Sequence, residues 1–257
     1  MNPYNITNRH VLIATRGSKL ALYQAHLVKE KLEKHFSDKV FEIQIIKTKG
    51  DKILDVALSK IGDIGLFTRE LENSLLQKEA DLAVHSLKDM PTELPEGLMI
   101  AGVLERGEVR DALVSISGKK LSELDEYDIV ATSSLRRKAQ LLNFNSNLRI
   151  VDLRGNVDTR LQKMNEGYCT AMIMAAAGLQ RLRLQDKISE ILDPAIMSPA
   201  VSQGAIAIEI RDDDPEIEAL VLKINHIPTF VAVKAERVFL SALEGGCQVP
   251  IGCFSES

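Results

Sequence analysis

The sequence predicts an α/β protein built from two units in which strands and helices alternate. Short apolar strands are predicted at 11–15, 41–48, 82–86, 99–104 and 112–115, with helical apolar periodicity at 20–36 and 68–77. A second unit repeats the alternation, with strands at 129–132, 148–152 and 171–174 and helices at 134–142, from 156 and around 179. Such alternation favours mostly parallel sheets with helices on both faces.

The composition is that of a globular protein with more than one domain. The chain has 257 residues, of which 45% are hydrophobic and 26% are charged. This length is enough for two domains and the start of a third. The formal net charge of -4 argues against general nucleic-acid binding, because no overall positive field attracts a polyanion. Any anion-binding site must therefore be local.

The sequence favours a cytoplasmic protein with reduced thiols. The segment MNPYNITNRH lacks the apolar core of a signal peptide, and no apolar run approaches the roughly 18 residues of a membrane span. Cys169, Cys247 and Cys253 are too sparse to predict a disulfide framework. A zinc site made of Cys247, Cys253 and His226 is disfavoured because the spacing matches no usual ligand pair, so we expect no metal.

The segment DLAVHSLKDMP, residues 81–91, places polar side chains at the end of a buried strand. The strand stops before Pro91, because proline disfavours helix in the preceding residue, and the turn carries His85, Lys88 and Asp89. Ligands bind at the carboxyl ends of strands in open α/β sheets, so the pair Lys88 and Asp89 is a candidate for chemistry. The structural alternative is that the Asp89 carboxylate only caps its own turn.

A second polar cluster lies at the start of a predicted helix in the second unit. Thr132 and Ser134 supply capping hydroxyls, and Arg136, Arg137 and Lys138 follow in the first helical turn. Cations at this position oppose the helix macrodipole, at a cost of about 0.3–1 kcal/mol each. A bound anion offsets that cost, because charge-assisted hydrogen bonds contribute about 1.5–3 kcal/mol each.

Other strand-to-helix junctions repeat this combination of arginine with small polar residues. They contain Arg154, Gly155, Asn156 and Arg160 in LRGNVDTR, and Arg16 with Ser18 in the first unit. A single arginine is commonly a solvated surface residue, but repetition at equivalent junctions predicts an anion-binding cleft between the two units. Arginine suits planar carboxylate or phosphate groups. Without a GxxxxGK[ST] or GxGxxG segment, a small polycarboxylate fits better than a nucleotide.

The segment EGGCQVPIG, residues 244–252, is a glycine-rich loop that presents one cysteine beside an acid. A free cysteine is commonly a small buried hydrophobic residue. Here the paired glycines remove neighbouring side chains and leave the Cys247 sulfur approachable. No nearby histidine completes a Cys-His nucleophilic pair, so the loop favours a covalently tethered group over protease-like catalysis.

Together these motifs resemble the porphobilinogen deaminase family, whose members are also called hydroxymethylbilane synthases. The resemblance runs from about residue 11 to residue 252, through TRGSKLAL, GLFTRELE, ADLAVHSLKDMP, RDALVS, ATSSLRRKAQL, LRGNVDTRL, AAAGLQRL, SQGAIAIE and EGGCQVPIG. It implies two α/β domains like those of type II periplasmic binding proteins, with the active site in the cleft between them. It also implies a third, small α/β domain that carries the cysteine loop.

The resemblance predicts where the domains lie. We expect domain 1 to comprise residues 1–105 and 203–224, domain 2 to comprise residues 106–202, and the start of domain 3 to comprise residues 225–257. The segment 200–209 would carry the chain back to the first sheet, and helices are predicted at 215–225 and 230–243. Because the family continues well past the cysteine loop, we expect the third domain to be incomplete.

The resemblance also implies a reaction. Cys247 would form a thioether to a dipyrromethane cofactor made from two porphobilinogen units. Asp89 would be the catalytic carboxylate, which assists loss of ammonia from porphobilinogen and stabilises the cationic azafulvene. Extension to four rings and hydrolysis would then release hydroxymethylbilane for tetrapyrrole and heme biosynthesis, and the family suggests a monomer.

Further residues fall on family positions that bind cofactor or substrate. The implied cofactor-binding residues are Lys88, Ser134, Arg136, Arg137, Arg154, Gly155, Thr132, Asp51 and Lys60. The implied substrate-binding residues are Arg16, Ser18, Arg154, Arg160, Asn156, Arg181, Gln203 and Phe67. One position departs from the family: the chain reads GDIGLF where GGKGLF is usual, so Ile64 replaces a lysine and one anion contact is missing.

Two other functions suit parts of the pattern. The two units and their arginines also fit a non-catalytic solute-binding protein for a small dicarboxylate. Clustered basic residues fit a nucleic-acid binder, although the net negative charge and the few aromatic residues oppose it. The function we expect is a deaminating transferase that forms carbon–carbon bonds, with porphobilinogen as its substrate and neither a nucleic acid nor a membrane as a partner.

Overall fold

The computed structural model describes residues 10–52, 65–243 and 249–255, without the side chains of residues 51 and 52. Its strands are β1 (Val11–Arg16), β2 (Phe41–Ile46), β3 (Leu82–Ser86), β4 (Leu98–Val103), β5 (Asp111–Ser115), β6 (Ile129–Ala131), β7 (Arg149–Val151), β8 (Ala171–Ala175), β9 (Glu190–Ile191) and β10 (Ile206–Arg211). Its α-helices are α1 (Lys19–His35), α2 (Lys49–Lys52), α3 (Arg69–Leu76), α4 (Leu135–Phe144), α5 (Val157–Asn165), α6 (Ala176–Arg181), α7 (Pro215–Leu222) and α8 (Ile227–Ala242).

The first lobe is built on a five-stranded sheet in the order β2-β1-β3-β10-β4. Helix α1 begins at Ser18, whose Oγ accepts a hydrogen bond from the Ala21 amide at 3.3 Å, as expected for an N-cap. The apolar residues of α1 and α7 pack on one face of the sheet, and Leu71 and Leu75 of α3 pack on the other. The sheet is therefore buried on both faces, and the carboxyl ends of β1 and β3 remain at its edge.

The second lobe has the sheet order β7-β6-β8-β5-β9. Leu141 of α4 packs with the buried residues of one face, and Met164 of α5 and Leu179 of α6 pack with those of the other. Both lobes thus have the predicted α/β architecture with helices on both faces. Within the described ranges, no helix combines the length and hydrophobicity needed to cross a bilayer.

The predicted mostly parallel sheets are confirmed with one exception in each. Strand β10 runs antiparallel to β3 and β4, and β5 runs antiparallel to β8 and β9. Each exceptional strand follows a segment that crosses between the lobes, residues 104–110 before β5 and residues 200–205 before β10. The predicted return of the chain to the first sheet is therefore confirmed, whereas the exact domain boundaries stay predictions.

Several element boundaries differ from the sequence prediction. Strand β2 ends at Ile46 rather than residue 48, and the turn expected after it begins a short helix, α2. Helix α7 ends at Leu222, and α8 begins at Ile227 with His226 as its N-cap. The two-residue edge strand β9 was not predicted, because two residues carry no detectable alternation.

A buried ion pair holds both crossover segments against α8. The Arg106 guanidinium donates from Nη1 and Nη2 to Glu236 Oε1 and Oε2 at 2.6 and 3.1 Å. Glu236 also accepts hydrogen bonds from the backbone amides of Ser202 and Ser255, at 2.6 and 2.7 Å. One carboxylate therefore ties residues 104–110, residues 200–205 and the last described segment together.

We expect Glu236→Gln to lower the free energy of unfolding by about 3–5 kcal/mol, because breaking a buried ion pair leaves the partner charge uncompensated. Urea unfolding followed by circular dichroism measures the change. The control is Glu30→Gln, which breaks an exposed pair with Lys34 and should leave the midpoint unchanged. Equal midpoints for Glu236→Gln and the unaltered protein would contradict this role.

Candidate active site

Asp89 lies at the edge of the first sheet, in a 3-10 turn (Leu87–Asp89) that follows β3. Its side chain is exposed, and the N-cap of the turn, Ser86, makes no side-chain capping bond. No described residue donates a hydrogen bond to the Asp89 carboxylate, so the turn-capping alternative is wrong. The carboxylate is instead available at the position where ligands bind in α/β sheets.

The first lobe forms a cavity of about 70 Å³ beside Asp89. Three of the predicted substrate-binding residues line it together with Asp89: Arg16, Ser18 and Phe67. The guanidinium carbon of Arg16 lies 4.2 Å from the centroid of the Phe67 ring, which is a cation–π contact. The structure thus brings together residues that are up to 73 positions apart, counted from Arg16 to Asp89.

The same cavity has polar lining residues that the sequence analysis missed, Gln24 and Ser86. Gln24 is buried in α1, and its Nε2 donates to Ser86 Oγ at 2.9 Å. His85, which the sequence singled out without a role, also lines the cavity, and its Nε2 lies 3.0 Å from buried Glu209 Oε2. A glutamate inside the apolar run AIAIEI was the available signal for Glu209.

In the second lobe, an internal carboxylate compensates two of the three cations at the start of α4. Arg137 Nη2 donates to Asp111 Oδ1 at 2.6 Å, and Arg136 Nη2 donates to Asp111 Oδ2 at 2.7 Å. Burial alone would raise the pKa of Asp111, but the charges of Arg137 and Arg136 outweigh it and hold that pKa well below its usual value. The Asp111 carboxylate therefore offsets both arginines within the protein, and a bound anion at this helix start stays a prediction.

The capping hydroxyls of this cluster order the start of α4. Ser134 Oγ accepts from the Arg137 amide at 3.4 Å, and Thr132 Oγ1 accepts from the Ser134 amide at 3.2 Å. The first contact is that of an N-cap, and the second is a hydroxyl turn that precedes the cap. Through them, Thr132 and Ser134 fix the backbone from which the two arginines extend.

The junction after β7 contributes two further desolvated cations. Burial lowers the pKa of Arg154. Burial also lowers the pKa of Arg160 to about 10, with the charges of Arg137 and Arg154 adding to the shift and Asp89 opposing it. Gly155 has φ +120 and receives a hydrogen bond from Arg160 Nε at 2.8 Å. Asn156 caps α5 by accepting from the Thr159 amide at 2.9 Å.

Lys88 connects Asp89 with the second lobe. Burial lowers the pKa of Lys88 to about 8; the charge of Arg137 acts in the same direction, and Asp89 and Asp111 oppose it. Its Nζ donates to Gln203 Oε1 at 3.2 Å. The side chain is partly open to solvent, so it can also face a ligand.

Two predicted substrate-binding residues contact the protein's own groups at the crossover segments. Gln203 is fully buried, and its Nε2 donates to Val109 O and Asp111 Oδ1 at 2.7 and 3.0 Å. Arg181 Nη2 donates to Gly204 O at 2.6 Å. Both side chains therefore brace the connection between the lobes.

The remaining predicted positions lie outside the described residues. They are Cys247, Lys60, the side chain of Asp51, and Ile64 at the departure from the family pattern.

Asp89 belongs to both halves of the site, since it lines the cavity with Arg16 and also acts electrostatically on Lys88 and Arg160. Among the described residues, this site contains six cations, Arg16, Lys88, Arg136, Arg137, Arg154 and Arg160, and two carboxylates, Asp89 and Asp111. The formal excess is four positive charges in a chain of net charge -4. Fold and site together define a two-lobed α/β protein whose clustered cations suit a small polyanion.

Comparisons with known proteins identify the family. The family model "Porphobilinogen deaminase, dipyromethane cofactor binding domain" matches residues 11–219, and "Porphobilinogen deaminase, C-terminal domain" matches residues 230–257. Porphobilinogen deaminase of Desulforamulus reducens is 54% identical over 246 residues, which cover 96% of this chain and 80% of the relative. That of Gloeobacter violaceus is 51% identical over 253 residues, covering 97% and 77%. The chain belongs to the porphobilinogen deaminase family and is a transferase of tetrapyrrole biosynthesis.

Solved structures of solute-binding proteins share the fold. The methionine-binding protein MetQ matches with a TM-score of 0.53 at 13% identity, covering 96% of this chain and 99% of that one. A probable amino-acid ABC transporter extracellular-binding protein from Bacillus subtilis matches with a TM-score of 0.50 at 12% identity, covering 91% and 97%. These likenesses confirm the type II periplasmic-binding-protein fold expected for the two lobes, and they show the fold alone.

The described residues fit the dipyrromethane cofactor that the family model names. The excess of four positive charges matches a group that bears several carboxylates. In addition, Arg137 Nε is a buried donor without a hydrogen-bond partner among the described residues. Such unsatisfied buried donors are rare in the absence of a ligand or a water molecule.

We expect Gly155→Ala to raise KM for porphobilinogen several-fold, because a Cβ at this positive φ would lie 2.7 Å from Thr159 Cγ2 and displace the loop between Arg154 and Asn156. The matched control is Gly118→Ala, which also has positive φ but meets no atom within 4 Å. Steady-state kinetics of both variants measure the difference. Equal KM values would show that the loop tolerates the change.

Proposed function

We propose that this chain is a hydroxymethylbilane synthase, which joins four porphobilinogen molecules head to tail with loss of ammonia and releases the product by hydrolysis. The observation that carries the proposal is the exposed Asp89 carboxylate, which lines a cavity with Arg16 and acts electrostatically on Lys88 and Arg160. Porphobilinogen bears two carboxylates and one aminomethyl group, so it presents charges of both signs. The cleft offers complementary groups for each of them.

The cations bind and orient the acidic side chains of the substrate and of the cofactor. Arg154, Arg160 and Arg16 are the proposed carboxylate partners of the substrate, because guanidinium groups form bidentate bonds with carboxylates. Their partial burial strengthens this attraction, since water screens buried charges less than exposed ones. Asn156 caps α5, the helix that carries Arg160. Ser18 caps α1, the helix that begins just after Arg16. Both caps thereby hold these arginines in position.

The proposed cofactor site combines Cys247 with cations of both lobes. Cys247 would hold the dipyrromethane through a thioether, and Arg136, Arg137 and Lys88 would bind its acidic side chains, with Arg137 Nε as an available donor. When bound, the cofactor supplies the nucleophilic pyrrole carbon to which new units are added. Gly155 lets the backbone approach this group closely, because it has no side chain.

Asp89 acts on the aminomethyl group of porphobilinogen. The aminomethyl group reacts in its ammonium form, so the carbon–nitrogen bond breaks with its electron pair leaving on neutral ammonia, and the positive charge passes to the ring. An ionised carboxylate beside that charge stabilises the transition state. Substrate carboxylates neutralise the nearby arginines, so that the field at the reacting carbon is dominated by Asp89.

We further propose that the protein acts in the cytoplasm as a monomer. The unpaired thiols of Cys169 and Cys253 support a reducing compartment. Size-exclusion chromatography with light scattering tests the oligomeric state.

We expect the intact purified protein to be heavier than its polypeptide by two linked pyrrole units, whereas Cys247→Ser has the polypeptide mass alone. The reason is that serine lacks the thiol that forms the thioether. Intact-protein mass spectrometry makes the measurement, and Cys253→Ser is the matched control that keeps the added mass. Equal masses for the unaltered protein and Cys247→Ser would remove Cys247 from the proposal.

We expect Asp89→Asn to lower kcat by about 10²–10³, because it removes electrostatic stabilisation at the reacting carbon while keeping the shape of the side chain. Release of ammonia from porphobilinogen gives the rate, and circular dichroism checks folding. Asp186→Asn changes an exposed carboxylate outside the cleft and should retain full activity. Near-normal turnover by Asp89→Asn would exclude a catalytic role.

A further inference from the structure

We propose that Asp111 is a positioning residue for this reaction. It holds Arg136 and Arg137 of the second lobe and acts through Gln203 on Lys88 of the first lobe. In this way one buried carboxylate sets the arrangement of cations on both sides of the cleft. The proposal rests on the proposed function for its catalytic meaning, but its structural part can be tested without turnover.

The first step of the argument is the hydrogen bonding of Asp111. Its Oδ2 accepts from Arg136 Nη2 at 2.7 Å, and its Oδ1 accepts from Arg137 Nη2 at 2.6 Å and from Gln203 Nε2 at 3.0 Å. The carboxylate is fully buried. Both oxygens are thus used within the protein, and Asp111 is not available to bind a ligand directly.

The second step is the orientation of the arginines. Arg137 Nη1 donates to Ile173 O at 3.0 Å, and Arg136 Nη1 donates to Ser198 O. Each guanidinium is therefore held at two points, by one oxygen of Asp111 and by one backbone carbonyl. Of the Arg137 nitrogens, only Nε lacks a partner among the described residues, so the remaining donor points in a direction set by Asp111 and Ile173.

The third step is the connection across the lobes. Gln203 lies in the second crossover segment, donates to Asp111 and Val109 O, and accepts from Lys88 Nζ at 3.2 Å. Because its amide donates on one side and accepts on the other, Gln203 links a second-lobe anion to a first-lobe cation. A glutamine has the required donor and acceptor in one side chain.

The fourth step is the charge around Lys88. The charged groups that act on it are Arg136, Arg137, Asp89 and Asp111. Burial and the two arginines favour the neutral amine, and the two carboxylates favour the ammonium form. Without Asp111, two cations would oppose a single carboxylate, so the charged form of Lys88 would become less stable.

An alternative role for Asp111 is structural, in which it merely stabilises the second lobe. The two roles differ in their effect on Lys88. A structural role changes the melting temperature alone, whereas a positioning role changes the titration of Lys88 and the binding of substrate. Asp128 is a suitable comparison because it is also a buried second-lobe carboxylate with an ion pair, to Lys119 at 2.8 Å.

The experiment compares Asp111→Asn with Asp128→Asn in the full chain. Lys88 is titrated by heteronuclear NMR of labelled lysine, its signal being assigned through Lys88→Arg. We expect Asp111→Asn to move the titration midpoint of Lys88 to lower pH and Asp128→Asn to leave it in place. In kinetic measurements, Asp111→Asn should raise KM for porphobilinogen by about tenfold or more, equal to about 1.4 kcal/mol of binding, with a smaller change in kcat.

A shift in the alkaline limb of kcat/KM provides a second readout. Lys88 carries charge below its pKa of about 8, so the activity that depends on that charge falls as pH rises through this value. Asp111→Asn should move the limb to lower pH. In a Lys88→Arg background the limb is lost, because arginine stays charged, and adding Asp111→Asn should produce no shift.

Gln203→Met provides a variant without a charge change. It removes the link between Asp111 and Lys88 while keeping a side chain of similar length, and should shift the Lys88 midpoint in the same direction by a smaller amount. Identical Lys88 titrations in Asp111→Asn, Asp128→Asn and the unaltered protein would overturn the proposal. So would failure of both Asp111→Asn and Gln203→Met to fold where Asp128→Asn folds, since that assigns a structural role.

The two proposals fail separately. An unaltered protein that releases no ammonia from porphobilinogen would contradict the proposed function. If the titration midpoint of Lys88 still shifted in Asp111→Asn, the proposed coupling between Asp111 and Lys88 would stand even then.

Discussion

The site depends on cations that are partly removed from water beside too few carboxylates. Burial of a charge is costly unless a partner or a ligand compensates it. Asp111 compensates Arg136 and Arg137, and burial lowers the pKa values of Arg154 and Arg160. The remaining positive field is local to the cleft of a chain that is negative overall. A field confined to a cleft suits small, multiply charged acids such as the proposed substrate.

Much of the fold followed from the sequence because its elements carry strong local signals. Strand β3 matches its predicted range, and α4 begins after the predicted capping residue Ser134. The boundaries of β2 and β9 were less predictable, because polar turns and very short edge strands lack periodicity. The antiparallel direction of β5 and β10 could not be predicted from local sequence patterns either, since it depends on how the chain crosses between the lobes.

Site residues were predictable where the signal lies within one short motif. They were less predictable where the role depends on contacts with residues far away in the sequence. The junctions containing Arg16, Asp89 and Arg160 were visible as strands followed by polar turns. Asp111 was not, because nothing in RDALVS indicates that its carboxylate meets two arginines 25 and 26 residues away. Gln203 likewise matched a family position, but its buried hydrogen bonds with Lys88 and Asp111 required the tertiary structure.

The strand order has a consequence for how the protein is made. In the first sheet, β3 and β4 are separated by β10, which is about 100 residues later in the sequence. During synthesis, the ribosome releases every strand of the second sheet before it releases β10. The second lobe can thus complete its sheet while the first still has an unfilled gap with two open strand edges. Such edges are prone to pair with other chains, so the nascent polypeptide is exposed to aggregation during this interval.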